Sequence, residues 1–367
     1  MPARHQIEFM KKNYSSLIVL GMSGFLALAS AGVSRAAELY HLVKEIPIGG
    51  AGGWDYLSVD EGGRRLYVSH GTKVVVIDID KDVVVGEIAN TPGVHGVALA
   101  PDLGRGFVSC GQSNNASIVD LKTLETLQKV ETGRNPDGML YEPSQQEVYM
   151  FNGRGQSATV FEAKTGKVVA TIPLEGKPEF PAADPKAGRV YDNLEDKSEV
   201  VAIDIKTHKV VERWPVAPGE EPSGMAFDAK HHRLFLGCGN KKMVMMDSTN
   251  GKVVADVPIG DGVDANAFDP GTQLAFASCG DGTVTIAHEE GPDKLTVVQT
   301  LKTEPRARTM TLDPKTHRIY LASAKFEAPA AGAGEGGQRQ RPRMVPDSFK
   351  ILVYGKINQP RQLDKTE

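Results

Sequence analysis

Several signatures are missing from this chain, and each absence removes a class of function. No Gly-x-Ser-x-Gly elbow occurs, so a Ser-His-Asp hydrolase has no local support. The glycine-rich stretch at residues 49–53 is not followed by Gly-Lys-Ser/Thr, and no helix is predicted after it. It therefore reads as a flexible link and not as a phosphate cradle. Basic excess is also missing. The formal charge is −4, and residues 1–36 hold four cations against one acid, so the remainder carries −7. An acidic protein of this kind has no general attraction for a phosphate backbone, and nucleic acid is not an expected partner. One long apolar run is present, residues 17–33, preceded by Lys11 and Lys12 and followed by small residues. That order reads as an export signal over residues 1–36, with Met10 a candidate initiator. A run of this length sits at the short limit for crossing a bilayer, so membrane attachment is expected only if the segment is retained.

What the chain has in abundance is a repeat. Residues 60–88 contain three short runs rich in β-branched residues, LYVSH, TKVVVIDID and VVVGEI, separated by turn chemistry. The aromatic of the first run recurs as Tyr67, Phe107, Tyr149, Tyr191, Phe235, Phe276 and Tyr320, at spacings of 40, 42, 42, 44, 41 and 44. Another short run precedes each anchor, and two follow it. Seven units of four-strand length with a period in the low forties predict an all-β fold, a seven-bladed β-propeller. The last unit lacks its outer strand. Residues 39–48, which belong to no unit of their own, are expected to supply it and close the ring. The organisation is therefore a signal at 1–36, a propeller at 37–356 with an inserted loop at 325–348, and a polar tail at 357–367.

The LYV-centred anchors, the Asp-x-x-Thr-Gly-Lys-Val-Val turns and the Arg-Asn-Pro-Asp-Gly of residues 134–138 resemble the YVTN-repeat, YncE-like group of bacterial seven-bladed propellers. The likeness spans roughly residues 39–355. It implies an exported binding or scaffolding propeller, periplasmic or extracellular, and brings no catalytic motif with it.

Cys110, Cys238 and Cys279 each lie three residues after an anchor, so they occupy equivalent places in blades 2, 5 and 6. Such places in neighbouring blades are roughly 10 Å apart, beyond the ~7 Å reach of a bridge, and no intrachain disulfide is expected. They read as small buried residues, with a soft metal pair at Cys238 and Cys279 as the functional alternative.

Strand alternation collects three things on one face: the starts of the inner strands, the loops after the anchors, and the blade-to-blade links. The inner-strand starts are Asp55, His95, Asp137, Glu179, Ser223, Asp264 and Arg308, a polar ring at the channel mouth. A ring with four carboxylates suits a cation or a polar ligand. From the loops, His70, Asn152, Arg154 and Asn193 are added as candidate ligand-binding residues. Beside Asp55, Trp54 and Tyr56 could stack on a ligand or plug the fold. The insertion hangs over the same face, with Arg339, Arg341 and Arg343 above the acids and Met344 to Pro346 able to pack down. His208, His231, His232, His288 and His317 fall on the opposite face. That leaves only His70 and His95 at the mouth and argues against a multi-histidine copper or haem centre.

Two functions follow. The favoured one is a monomeric, non-enzymatic exported propeller that engages a small polar ligand, peptide or envelope protein at the mouth and needs no cofactor. The alternative is a lactonase-like hydrolase in which Asp55, Asp137, Glu179 and Asp264 hold a divalent cation and His95 acts as base.

Overall fold

The computed structural model describes residues 39–327 and 342–357, and within them the chain forms seven four-stranded antiparallel sheets. The sheets run in chain order as blades 1 to 6 (residues 57–88, 94–131, 136–173, 178–215, 222–258 and 263–302). Blade 7 is assembled from Met310–Asp313, Arg318–Ser323, Lys350–Lys356 and, as its outer strand, Tyr40–Pro47. The expected seven-bladed propeller and its closure by the N-terminal strand are both present. Residues 1–36, where an export signal is expected, the central residues of the insertion (328–341, with Arg339 and Arg341) and most of the polar tail lie outside the described residues.

Each blade forms from a simple local code. The anchor aromatics are at most 1 % exposed and sit between neighbouring sheets. Tyr191, for instance, packs with Trp214 of its own blade against Met225, Leu234 and Leu236 of the next. The turn between third and fourth strands is closed by an acid whose carboxylate accepts backbone N–H groups two and three residues on. Asp78, Asp120 and Asp204 all do this. The glycine of that turn is obligatory in blade 5, where Gly251 has a φ of +73° and a Cβ would fall 2.1 Å from Trp214.

A second set of acids ends the inner strands: Asp60, Glu142, Asp184, Asp228, Asp269 and Asp313, all 7 % exposed or less. Each caps its hairpin, and several also clasp the following blade. Asp313 takes Arg64 at 2.8 Å, Asp269 takes His317 at 2.7 Å, and Asp184 lies 3.5 Å from His232. The three basic partners occupy one turn position, all at positive φ.

The closing strand buries only two side chains, and they face different seams. Tyr40 packs edge-on to Phe276 of blade 6 at 5.4 Å and donates its hydroxyl hydrogen to the carbonyl of His317. Ile46 joins Leu57, Leu66 and Val68 of blade 1. The Gln299 amide of blade 6 mimics a neighbouring backbone, accepting from the N–H of Leu39 and Tyr40 and donating to the Tyr40 carbonyl. All three cysteines are free and buried, as expected. Burial pushes the thiols of Cys238 and Cys279 up to about 12, which opposes the thiolate that a soft metal needs.

Tyr40→Ala is expected to cost about 3–5 kcal/mol, the usual toll for emptying a buried aromatic site. Leu42→Ala on the same strand, where the side chain is 45 % exposed, should cost less than about 0.5 kcal/mol. Urea unfolding of the two variants checks this, and equal losses would contradict closure through Tyr40.

Candidate functional site at the channel mouth

The inner strands converge on the propeller axis, so the residue at a given place in each strand joins a ring. Directly after the polar ring comes a second one: Tyr56, Gly96, Gly138, Phe180, Gly224, Ala265 and Thr309. Two aromatics fill the axis because the rest are small. Tyr56 packs against Phe180 at 5.0 Å and donates a 2.6 Å hydrogen bond to the Glu179 carbonyl on blade 4. A Cβ on Gly96 would fall 2.7 Å from that of Tyr56, and one on Gly138 would fall 2.3 Å from the Glu179 carbonyl oxygen. Tyr56 and Phe180 are the floor on which the polar ring stands.

On that floor the ring splits into linked groups. His95 Nδ1 lies 2.7 Å from Asp55 Oδ2 and 3.1 Å from Asp137 Oδ1, so a single ring nitrogen serves two carboxylates. Lys177 bridges Glu179, at 3.0 Å, and Glu195. Arg308 Nε stands 3.4 Å from Asp264 Oδ2. Asp192, fully buried on the second strand of blade 4, accepts from the Glu179 N–H through Oδ1, while its Oδ2 has no hydrogen-bond partner among the described residues. Asp55, Glu179 and Asp264 line a cavity of about 10 Å³ with Tyr56, Phe180, Ala265, Thr309 and Met310, room for one water or one bare ion.

Negative charge is crowded here beyond what the local cations neutralise. Burial and the Asp137 charge push the Glu179 carboxyl up to about 8, and burial and Asp55 push Asp264 up to about 7. Burial also raises Asp55 and Asp192. For His95, burial opposes the charged form, but the two carboxylates outweigh it and raise the imidazole to about 10. His95 is therefore an imidazolium at neutral pH, unable to serve as a base.

A larger pocket of about 420 Å³ opens beside the small cavity and shares Thr309 with it. Its walls are Gly53, Trp54, Gly262, Gly280, Arg306, Arg308 and Phe326. Trp54 stacks on Phe349 at 5.0 Å, and the Arg306 guanidinium lies over the Phe326 ring at 4.4 Å. The ends of the insertion form one wall: Phe326 bridges to Met344, and Met344 packs into the cluster containing Trp54. Thr309 is 4 % exposed, and its hydroxyl has no partner among the described residues.

The structure thus brings Asp55, His95, Asp137, Glu179, Asp264 and Arg308 together and turns His70, Asn152 and Asn193 to other partners. His70 is 2 % exposed and stacked on Phe349 at 4.3 Å beneath the glycine link, and burial lowers its basicity. Asn152 is spent on Ser157 and Thr159, and Asn193 on the carbonyls of Ser223 and Gly224. Arg154 is exposed on its loop. Asn193 is turned to the next blade and Asn152 to its own, because a buried amide satisfies the backbone and hydroxyl groups around it. Asp192, Arg306 and Thr309 escaped the sequence reading. The last two sit in the link that leads into the inner strand of blade 7, on either side of Arg308.

No family model matches the chain, and no curated protein matches it. Among solved structures, a chain of hydrazine synthase from Kuenenia stuttgartiensis is similar, with 17 % identity and a TM-score of 0.49 over 65 % of this chain and 96 % of that one. At that level the likeness carries nothing about activity.

The raised carboxyls set a pH dependence. Glu179 releases its proton near 4.5 in the unfolded chain and near 8 when folded, and Asp264 near 3.8 and 7. The folded state binds more protons through that window, so stability must fall as pH rises from about 4 to 8. Glu179→Gln should flatten the upper part of the decline. Melting temperatures across that range provide the check, and a wild-type profile rising toward pH 8 would contradict the assignment.

Proposed function

We propose that the protein is a binding propeller that captures a small zwitterionic ligand, an amino acid or short peptide terminus, at the channel mouth outside the cytoplasm. The observation that carries this reading is the junction at Thr309. A carboxylate-lined cavity sized for an ammonium group opens there onto a pocket with two guanidiniums and two aromatic rings. In the proposed complex the ligand's ammonium lies among Asp55, Glu179 and Asp264. Its carboxylate meets Arg306 and Arg308, and its apolar part rests on Trp54 and Phe326. A pocket of several hundred Å³ with few convergent polar groups suits such a molecule. The location outside the cytoplasm rests on Lys11, Lys12 and the apolar run at 17–33, and on the resemblance to exported YVTN-repeat propellers.

The same small cavity favours a second reading, in which a divalent cation sits among Asp55, Glu179 and Asp264, with Asp137 alongside. Hydrolysis with His95 as base gains no support, because Asp55 and Asp137 keep that imidazole protonated.

A thermal-shift series on the chelator-treated protein with amino acids, dipeptides, Ca²⁺, Mn²⁺ and Zn²⁺ separates the two, because whatever binds the folded state raises its melting temperature. Stabilisation by an amino acid or dipeptide without metal is the expected result, weakened about tenfold or more by Arg308→Gln and by Glu179→Gln. Stabilisation by a divalent cation alone would replace the zwitterion with the ion. No shift with either class would overturn the mouth as a binding site.

A further inference from the structure

The opposite face holds a second cluster, at the seam between blades 5 and 6. At the other clasped seams the hairpin acid of one blade meets a base of the next: Asp313 with Arg64, Asp269 with His317, Asp184 with His232. At this seam the corresponding turn position is Gln273, a neutral residue. Asp228 instead meets a histidine of its own hairpin and a second acid from blade 6. His231 Nδ1 lies 3.0 Å from Asp228 Oδ2 and 3.2 Å from Glu289 Oε1, and the three donor atoms fall within 4.8 Å of one another.

Glu289 is there because blade 6 places an acid at a buried position of the repeat. The residue just after the sixth of the third strand is Ile79, Leu121, Ala163, Ile205 and Ser248 in blades 1 to 5, each buried and each donating its N–H to a turn carbonyl of its own blade. In blade 6 that residue is Glu289, facing blade 5. The Glu289 side chain is fully buried, and neither carboxylate oxygen has a hydrogen-bond partner among the described residues. Arg233 does not neutralise it, being engaged by Asp247 and Asp293. A buried carboxylate in that state, with His231 as its ion-pair partner among the described residues, is short of hydrogen-bond donors.

We propose that Asp228, His231 and Glu289 form a binding site for a divalent transition metal of the Zn²⁺ class, independent of the channel mouth. One imidazole nitrogen and two carboxylate oxygens are a donor set such ions accept, with the fourth position left to water. The observed 3.0 and 3.2 Å separations approach the ~3.4 Å edge of a tetrahedral Zn²⁺ site with bonds of about 2.1 Å. Two ligands are already fixed in place. Asp228 is held by the N–H groups of Lys230 and His231, and the Glu289 N–H donates to the Gln273 carbonyl. His231 keeps 19 % of its side chain exposed, which gives the ion a way in.

The test uses the chelator-stripped full chain carrying Glu179→Gln, which removes a mouth carboxylate and leaves this seam intact. Titration with Co²⁺, followed by its visible ligand-field absorption and by Zn²⁺ competition, is expected to show one equivalent bound. Adding Glu289→Gln, a change of matched shape, should weaken binding at least about tenfold, and so should His231→Gln. Asp228 is left untouched because it caps its turn. Should Glu289→Gln fail to unfold cooperatively, His231→Gln, altered at a partly exposed side chain, decides alone. Absence of Co²⁺ binding at micromolar metal, or binding unaffected by His231→Gln, would overturn the proposal and leave the seam as a histidine clasp.

Discussion

The architecture depends on one long-range pairing, that of Tyr40–Pro47 with Lys350–Lys356. A propeller blade is amphipathic on both faces, and each is covered only by its neighbours, so an open ring would leave two apolar surfaces and an unpaired edge. Here the two ends of the described chain are sewn into one sheet, with Tyr40 and Ile46 reaching the seams on either side of blade 7. Because the partners are some three hundred residues apart in sequence, the loop-closure entropy is met last and the contact order is high. The ring cannot be completed before its final strand is available.

Closure also positions the site. The mouth takes side chains from blades 1, 2, 3, 4, 6 and 7, and no two neighbouring blades suffice to assemble it. Crowding like charges at such a place costs stability, and it persists because the surrounding sheets over-determine it. The resulting appetite for a positive group is a property of the ring as a whole.

Much of this was legible in the sequence, and the reason is periodicity. The seven anchors, the shared face of the inner-strand starts and the orphan strand at 39–48 all follow from counting, because a repeat fixes radial position and direction. The polar ring from Asp55 to Arg308 followed as well. Direction within a loop has no such period, so His70, Asn152 and Asn193 were placed at the mouth although packing turns them to other partners. Asp192 was invisible for a related reason. It lies next to the anchor Tyr191 in a strand that reads as core, and nothing local marks it as facing the acids. Glu289 escaped because its place, taken by Ile79, Leu121, Ala163, Ile205 and Ser248 in the other blades, follows the third strand, where no motif marks an acid as buried.

Tyr56 has a consequence for the kind of device this can be. Its side chain runs from blade 1 to blade 4 across the axis, braced on Phe180. Central tunnels in ring-shaped proteins can serve as thoroughfares, but this one is corked by an aromatic crossbeam. The front and back of the disc are therefore separate compartments, and an occupant of one is felt at the other only through the strands that both share.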